Sequence, residues 1–231
     1  MKKIGLFGGT FNPIHLGHLR SAEEIRESFE LDEVIFIPPS DPPHKNKGKI
    51  IPASLRAEMV RLSIVDNPRF ALSEVELRRP GKSYSVQTIG HFRQRFGEDT
   101  QLYFILGLDA FLEINTWKDC AALFSLCHFI VMTRPGFEKN FSPEHLPVEP
   151  EGNFCYDPHK GGYAHPSGFF IFPKEITALD ISSTKIRENI QKGRSVRYLI
   201  PPSVEAFIYK NKLYQAKDDN PGRSFLNQMA K

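Results

Sequence analysis

The chain is expected to fold as a doubly wound α/β domain. Short apolar runs alternate with stretches of helical periodicity, a glycine-rich turn joins the first run to the first helical stretch, and no internal repeat interrupts the pattern. In chain order the strand candidates are 4–7, 34–37, 71–74, 102–106, 129–133 and 169–172. Each is a compact apolar run of the kind that a parallel sheet buries on both faces. Between the first two, Leu19, Ala22, Ile25 and Phe29 share one helical face. A second helix is expected to start near Pro52 and to carry Leu55, Met59, Leu62 and Val65 inward. A third follows Ser83, read as its N-cap, with Val86, Ile89, Phe92 and Phe96 as the buried stripe. The expected organisation is an α/β domain over 1–189, a small helical part over 190–214 and a polar tail over 215–231. Residues 135–168, rich in Pro, Gly, Asn and His and without periodicity, read as a long surface excursion, serving as a lid or a subunit contact in a homo-oligomer.

Bulk properties bound the function. With 231 residues, 40% hydrophobic and 25% charged, the chain can bury a core without metals or disulfides. The net charge of +3 comes without a basic–aromatic stripe, which argues against a nucleic-acid partner. Cys120, Cys127 and Cys155 form an odd set without CxxC spacing, so a reducing, cytoplasmic setting is expected. Met1 runs directly into the first strand, and no stretch has the length to span a bilayer, so no membrane association is expected. Cys155, His159 and His165 match no standard zinc spacing, and no protein-held metal is expected.

The densest chemistry lies in Gly8-Gly9-Thr10-Phe11-Asn12-Pro13-Ile14-His15-Leu16-Gly17-His18. Two glycines after a strand let backbone approach a ligand and leave N–H groups for phosphate oxygens. Pro13 stiffens the turn. His15 and His18, three apart at a helix start, fall on one face and can donate to one phosphate, aided by the helix dipole. This is not the GxGxxG dinucleotide fingerprint, because the third glycine is absent. Far along the chain, Asp180-Ile181-Ser182-Ser183-Thr184-Lys185-Ile186-Arg187 offers a second anion cradle. Ser182 or Ser183 would cap a helix whose first-turn amides and hydroxyls face an anion, and Arg187 can reach back one turn.

The first segment resembles the HxGH signature of the nucleotidylyltransferase superfamily, and the second resembles its ISSTxxR signature. That resemblance implies a Rossmann-like fold and transfer of a nucleotidyl group onto a phosphate, with His15, His18 and Arg187 catalytic. It also implies an ATP site built from Gly8, Gly9, Thr10, Phe11, His18, Ser182, Ser183, Thr184 and Arg187. Leu106-Gly107-Leu108-Asp109 resembles the family's GxD segment, with Gly107 beside adenosine and Asp109 accepting from a ribose hydroxyl. Arg134, after the next strand, is a further ATP-side candidate.

The middle of the chain resembles nicotinate-nucleotide adenylyltransferases in particular. Pro38-Pro39-Ser40-Asp41-Pro42-Pro43-His44-Lys45 is similar to their PxxxPPHK loop, which implies that His44 and Lys45 grip the phosphate of nicotinate mononucleotide. Ser83-Tyr84-Ser85 is similar to their SYT segment, with Ser85 in place of the usual threonine. It implies that Tyr84, Ser85 and a helix N-terminus receive the nicotinate, with Tyr84 or Trp117 stacking on the ring. Asn12 stands where aspartate is commoner. The reaction so implied joins ATP to nicotinate mononucleotide, giving deamido-NAD and pyrophosphate, with Mg²⁺ bridging the triphosphate. Readings that stay open are the same chemistry on nicotinamide mononucleotide and a non-catalytic nucleotide-binding module on this fold.

Overall fold

The computed structural model describes residues 1–41, 50–133, 141–147 and 154–216. Its strands are β1 (Lys2–Gly8), β2 (Glu33–Ile37), β3 (Phe70–Leu72), β4 (Thr100–Gly107), β5 (His128–Thr133), β6 (Cys155–Asp157), β7 (Gly162–Ala164) and β8 (Phe170–Glu175). They form one sheet in the order β3-β2-β1-β4-β5-β8-β7-β6. The first six in that order are parallel neighbours, and β7 and β6 run antiparallel at one edge. The order reverses between β1 and β4, so a crevice opens at the carboxyl ends of these two strands, where such sheets bind ligands.

Helices cover both faces, as expected of a doubly wound sheet. On one face α1 (Leu16–Ser28), α2 (Ala53–Ile64), α6 (Ser183–Gln191) and α7 (Pro202–Lys210) bury Ala22, Ile25, Met59, Val60, Ile64, Ile186, Ile190, Val204 and Ile208. On the other, α3 (Ser85–Phe96), α4 (Leu108–Leu112) and α5 (Cys120–Leu123) pack Ile89, Phe92, Phe111 and Leu123 against Ile4, Leu6, Leu102 and Phe129. Burying side chains of this size contributes roughly 1.5–3 kcal/mol each before entropy is counted. The C-terminal α7 is tied to α2 by Ser203 Oγ, which donates to Leu62 O at 2.9 Å. No helix among the described residues is long and apolar enough to cross a membrane.

Three local expectations differ from the structure. The inward face of α2 carries Arg56, Ala57, Met59, Val60 and Ile64, whereas Val65 is 69% exposed. The helix is rotated because a charged residue, Arg56, occupies a buried position that an apolar count passes over. The N-cap of α3 is Tyr84 rather than Ser83. Ser83 Oγ is engaged elsewhere, accepting from Ser40 N–H at 3.1 Å. Within 135–168, the described residues include the short strands β6 and β7, which extend the sheet antiparallel to β8.

Candidate active site

The turn after β1 brings its histidines together by capping the helix with them. His15 is the N-cap of α1 and His18 its third residue, and each backbone N–H donates to the other's ring Nδ1 at 3.3 Å. This reciprocal capping has a chemical consequence. A ring nitrogen that accepts a hydrogen bond carries no hydrogen, so each imidazole in its neutral form holds its hydrogen on Nε2. The rings stack with centroids 3.7 Å apart. His15 is 5% exposed, and His18 is flanked on its other side by the edge of Phe11 at 5.2 Å. Gly17 completes the arrangement, since a Cβ there would lie 3.0 Å from His15 Nδ1 and 3.8 Å from Ile181 Cβ. The HxGH spacing thus sets two imidazoles side by side, with glycine at the position between them where a Cβ would crowd His15.

Two glycine-turn expectations are modified. Gly9 N–H donates to Ile37 O at 3.4 Å, so the ladder with β2 engages an amide that was assigned to phosphate. The room at Gly9 is filled from within: a Cβ would lie 2.6 Å from the ring of Phe11. Phe11 takes a left-handed φ of 47° and is 2% exposed, so its ring belongs to the core and its backbone faces the turn.

The second cradle folds directly onto this turn. Ser182 is the N-cap of α6, its Oγ accepting from Lys185 N–H at 3.2 Å. Ser183 Oγ donates to Pro13 O at 2.8 Å. Arg187 donates through Nη1 to Asn12 O at 2.7 Å and through Nη2 to Thr184 Oγ1 at 3.1 Å. Segments separated by 170 residues and more therefore meet at Asn12 and Pro13, with the N-termini of α1 and α6 both at the junction. The first-turn amides of α6 have no intrahelical acceptor, and the dipoles of both helices favour an anion between them.

Gly107 ends β4 beside β1, and a Cβ on it would lie 2.5 Å from Asp109 Oδ1. Asp109 is exposed in the first turn of α4. Tyr84 caps α3, with Lys118 Nζ 4.9 Å from its ring centroid, and half-buried Trp117 meets Phe104 edge-on at 6.2 Å. Ser85 opens α3. His44, Lys45 and Arg134 lie outside the described residues.

Three supporting residues escaped the reading of the sequence. Arg56 is 1% exposed, yet donates to the carbonyls of Thr10, Pro39, Ser40 and Ile51. Burial pushes its pKa down, and the phenol of Tyr214 opposes this. Tyr214 in turn donates to Asn12 Oδ1 at 2.8 Å. Its own pKa is raised by burial against the pull of Arg187 and Arg56. Glu76, 8% exposed, accepts from Thr88 Oγ1 at 2.6 Å, and burial raises its pKa while hydrogen bonds from Thr88 and Ser83 hold it down. Through Ser83 and Ser40 it links the start of α3 to the loop after β2. Of these, Arg56 alone had a sequence signal: it stands three and four residues before Met59 and Val60, on their face of the helix.

Comparisons with known proteins show the family of the chain. A family model described as cytidylyltransferase-like matches residues 6–189. A protein of Syntrophotalea carbinolica named "Probable nicotinate-nucleotide adenylyltransferase" is 46% identical over 216 residues, 94% of this chain and 99% of its own length. One of Pelobacter propionicus with the same name is 48% identical over 212 residues, covering 92% and 98%. Among solved structures, the nicotinic acid mononucleotide adenylyltransferase of Plasmodium falciparum complexed with NaAD superposes with a TM-score of 0.70 at 19% identity. That match covers 93% of this chain and 98% of the other, and the likeness is one of fold.

Proposed function

Because the chain belongs to the cytidylyltransferase-like family, and within it to the nicotinate-nucleotide adenylyltransferases, we propose that it transfers AMP from ATP to nicotinate mononucleotide. A phosphate oxygen of the mononucleotide attacks the α-phosphorus of ATP. The bond from that phosphorus to the oxygen bridging to the β-phosphate breaks, and pyrophosphate leaves as deamido-NAD forms. The attacking group is already an anion, so the enzyme's task is alignment and charge stabilisation rather than covalent catalysis.

The observation that carries this reading is the junction at Asn12 and Pro13, where the turn into the histidine-capped α1 accepts hydrogen bonds from Ser183 and Arg187 of the serine-capped α6. In the reading, the Nε2 hydrogens of His15 and His18 face the α-phosphate, where charge builds. The start of α6, with Ser182, Ser183, Thr184 and Arg187, takes the β- and γ-phosphates, and Gly8, Thr10 and Phe11 contribute backbone. Gly107 and Asp109 take adenosine at the crevice between β1 and β4, with Arg134 on the same side. His44 and Lys45 take the acceptor's phosphate. Tyr84, Ser85 and Trp117 take its nicotinate, where the start of α3 favours a carboxylate over a neutral carboxamide. Mg²⁺ enters with ATP as part of the substrate, bound by phosphate oxygens and water. The odd set of three cysteines without CxxC spacing supports a cytoplasmic setting.

The test is pyrophosphate release from Mg-ATP with nicotinate mononucleotide, with nicotinamide mononucleotide and with neither. Turnover with the first at least tenfold above the second is expected. Equal turnover would move the acceptor assignment, and ATP binding without release in any arm would make this a nucleotide-binding module.

A further inference from the structure

We infer that Arg56 is a positioning residue that sets the spacing between the ATP-side turn and the acceptor-side loop, and so aligns the acceptor phosphate with the α-phosphate; the inference rests on the function proposed above. Arg56 is 1% exposed, and its guanidinium reaches three stretches of chain at once. Nη1 donates to Thr10 O at 2.9 Å, in the turn between β1 and α1. Nη2 donates to Pro39 O at 2.6 Å and Ser40 O at 3.3 Å, just after β2. Nε donates to Ile51 O at 3.1 Å, just before α2. The last two contacts hold the two ends of the stretch 41–50, in which His44 and Lys45 stand in the sequence. One planar group therefore fixes where the acceptor loop leaves and re-enters the fold, and ties both ends to the turn that carries His15 and His18.

All four acceptors lie outside regular helix or strand, so no ladder holds these carbonyls in place. A rigid fork with several donors at fixed angles can hold them in register, whereas an ammonium on a flexible stem cannot. Burying a cation is costly unless its donors are engaged. An aliphatic residue would fill the space but leave the two loops independent.

The experiment compares Arg56→Lys and Arg56→Met with the parent chain in steady-state pyrophosphate release, alongside thermal melting. Misplacement of reacting groups by about 1 Å costs on the order of 100-fold in rate. Both variants are expected to lose about 100-fold in kcat while KM for ATP and for nicotinate mononucleotide each stay within about threefold, the pattern of an interaction felt in the transition state. A purely structural role predicts a lowered melting temperature with kcat intact below it, and that result overturns the inference. So does a Lys variant with parental kcat. If Arg56→Met does not fold, Arg56→Lys, which keeps the charge, decides. If the parent chain itself releases no pyrophosphate, the proposed function fails, a result distinct from either of these.

Discussion

Replacing His15 by asparagine separates two jobs that the structure assigns to one ring. Nδ1 accepts the His18 N–H at 3.3 Å and caps α1, which leaves Nε2 as the ring nitrogen assigned to the reacting phosphate. Asparagine is among the best N-cap residues and can supply the accepting oxygen, but its side chain ends short of where Nε2 stood. Alanine removes both functions. Loss of the cap costs roughly 1 kcal/mol in His15→Ala, and His15→Asn is expected to recover most of it, less a few tenths for the lost stacking on His18. Loss of a donor to the reacting phosphate is on the scale of 10²–10³ in kcat, about 2.7–4 kcal/mol, and falls on both variants alike. Urea denaturation at constant m-value measures the first quantity and pyrophosphate release with saturating substrates the second. Retention of more than about a tenth of kcat by His15→Asn would remove the imidazole from the reacting phosphate. Equal destabilisation by both substitutions would refute the capping assignment.

Other outcomes follow from the same geometry. Gly17→Ala pushes a methyl to 3.0 Å from His15 Nδ1, and kcat is expected to fall at least tenfold with little change in circular dichroism; a fully active variant contradicts the close approach. Tyr214→Phe removes the 2.8 Å bond to Asn12 Oδ1, which still accepts from Ile51 N–H at 3.5 Å, so a cost of about 0.5–1.5 kcal/mol in chemical denaturation is expected. His128 accepts from Phe170 N–H at 3.1 Å, and burial, with Arg93 and Lys160 nearby, pushes its pKa from 6.5 down to about 4. Between these two values the unfolded chain binds more protons than the native one, so stability falls on acidification, by at most about 3 kcal/mol. His128→Asn should flatten that part of the curve. Glu76 titrates in the opposite sense, its raised pKa favouring the native state as pH falls toward 4.5, so the difference between parent and variant isolates the histidine.

Both capped helix starts could be read before any fold was known, because each is local: the capping residue and the amide it accepts from lie within one turn. The central strands were legible for a similar reason, since a parallel strand buried on both faces leaves a continuous apolar run, as at Ile35, Phe36 and Ile37. What escaped depends on partners remote in sequence. Nothing near Tyr214 announces a hydrogen bond to a residue 202 positions earlier. Arg56 was hidden by its charge, because periodicity scores an arginine as solvent-facing, and that misjudgement rotated the whole helix so that Val65 was turned inward. The strands β6 and β7 have three residues each and no apolar alternation; they form because β8 offers an edge to pair with. Ser83 is a strong N-cap residue by type, yet the nearby Ser40 amide takes its oxygen.

The claim on which the rest depends is that the helix starts of α1 and α6 hold one triphosphate between them. A crystal structure of the chain with a non-hydrolysable ATP analogue and Mg²⁺ tests it directly. The account predicts phosphate oxygens within about 3.2 Å of His15 or His18 Nε2 and, on the same molecule, of the α6 first-turn amides or Arg187. A triphosphate that contacts one helix start and leaves the other in solvent would contradict it.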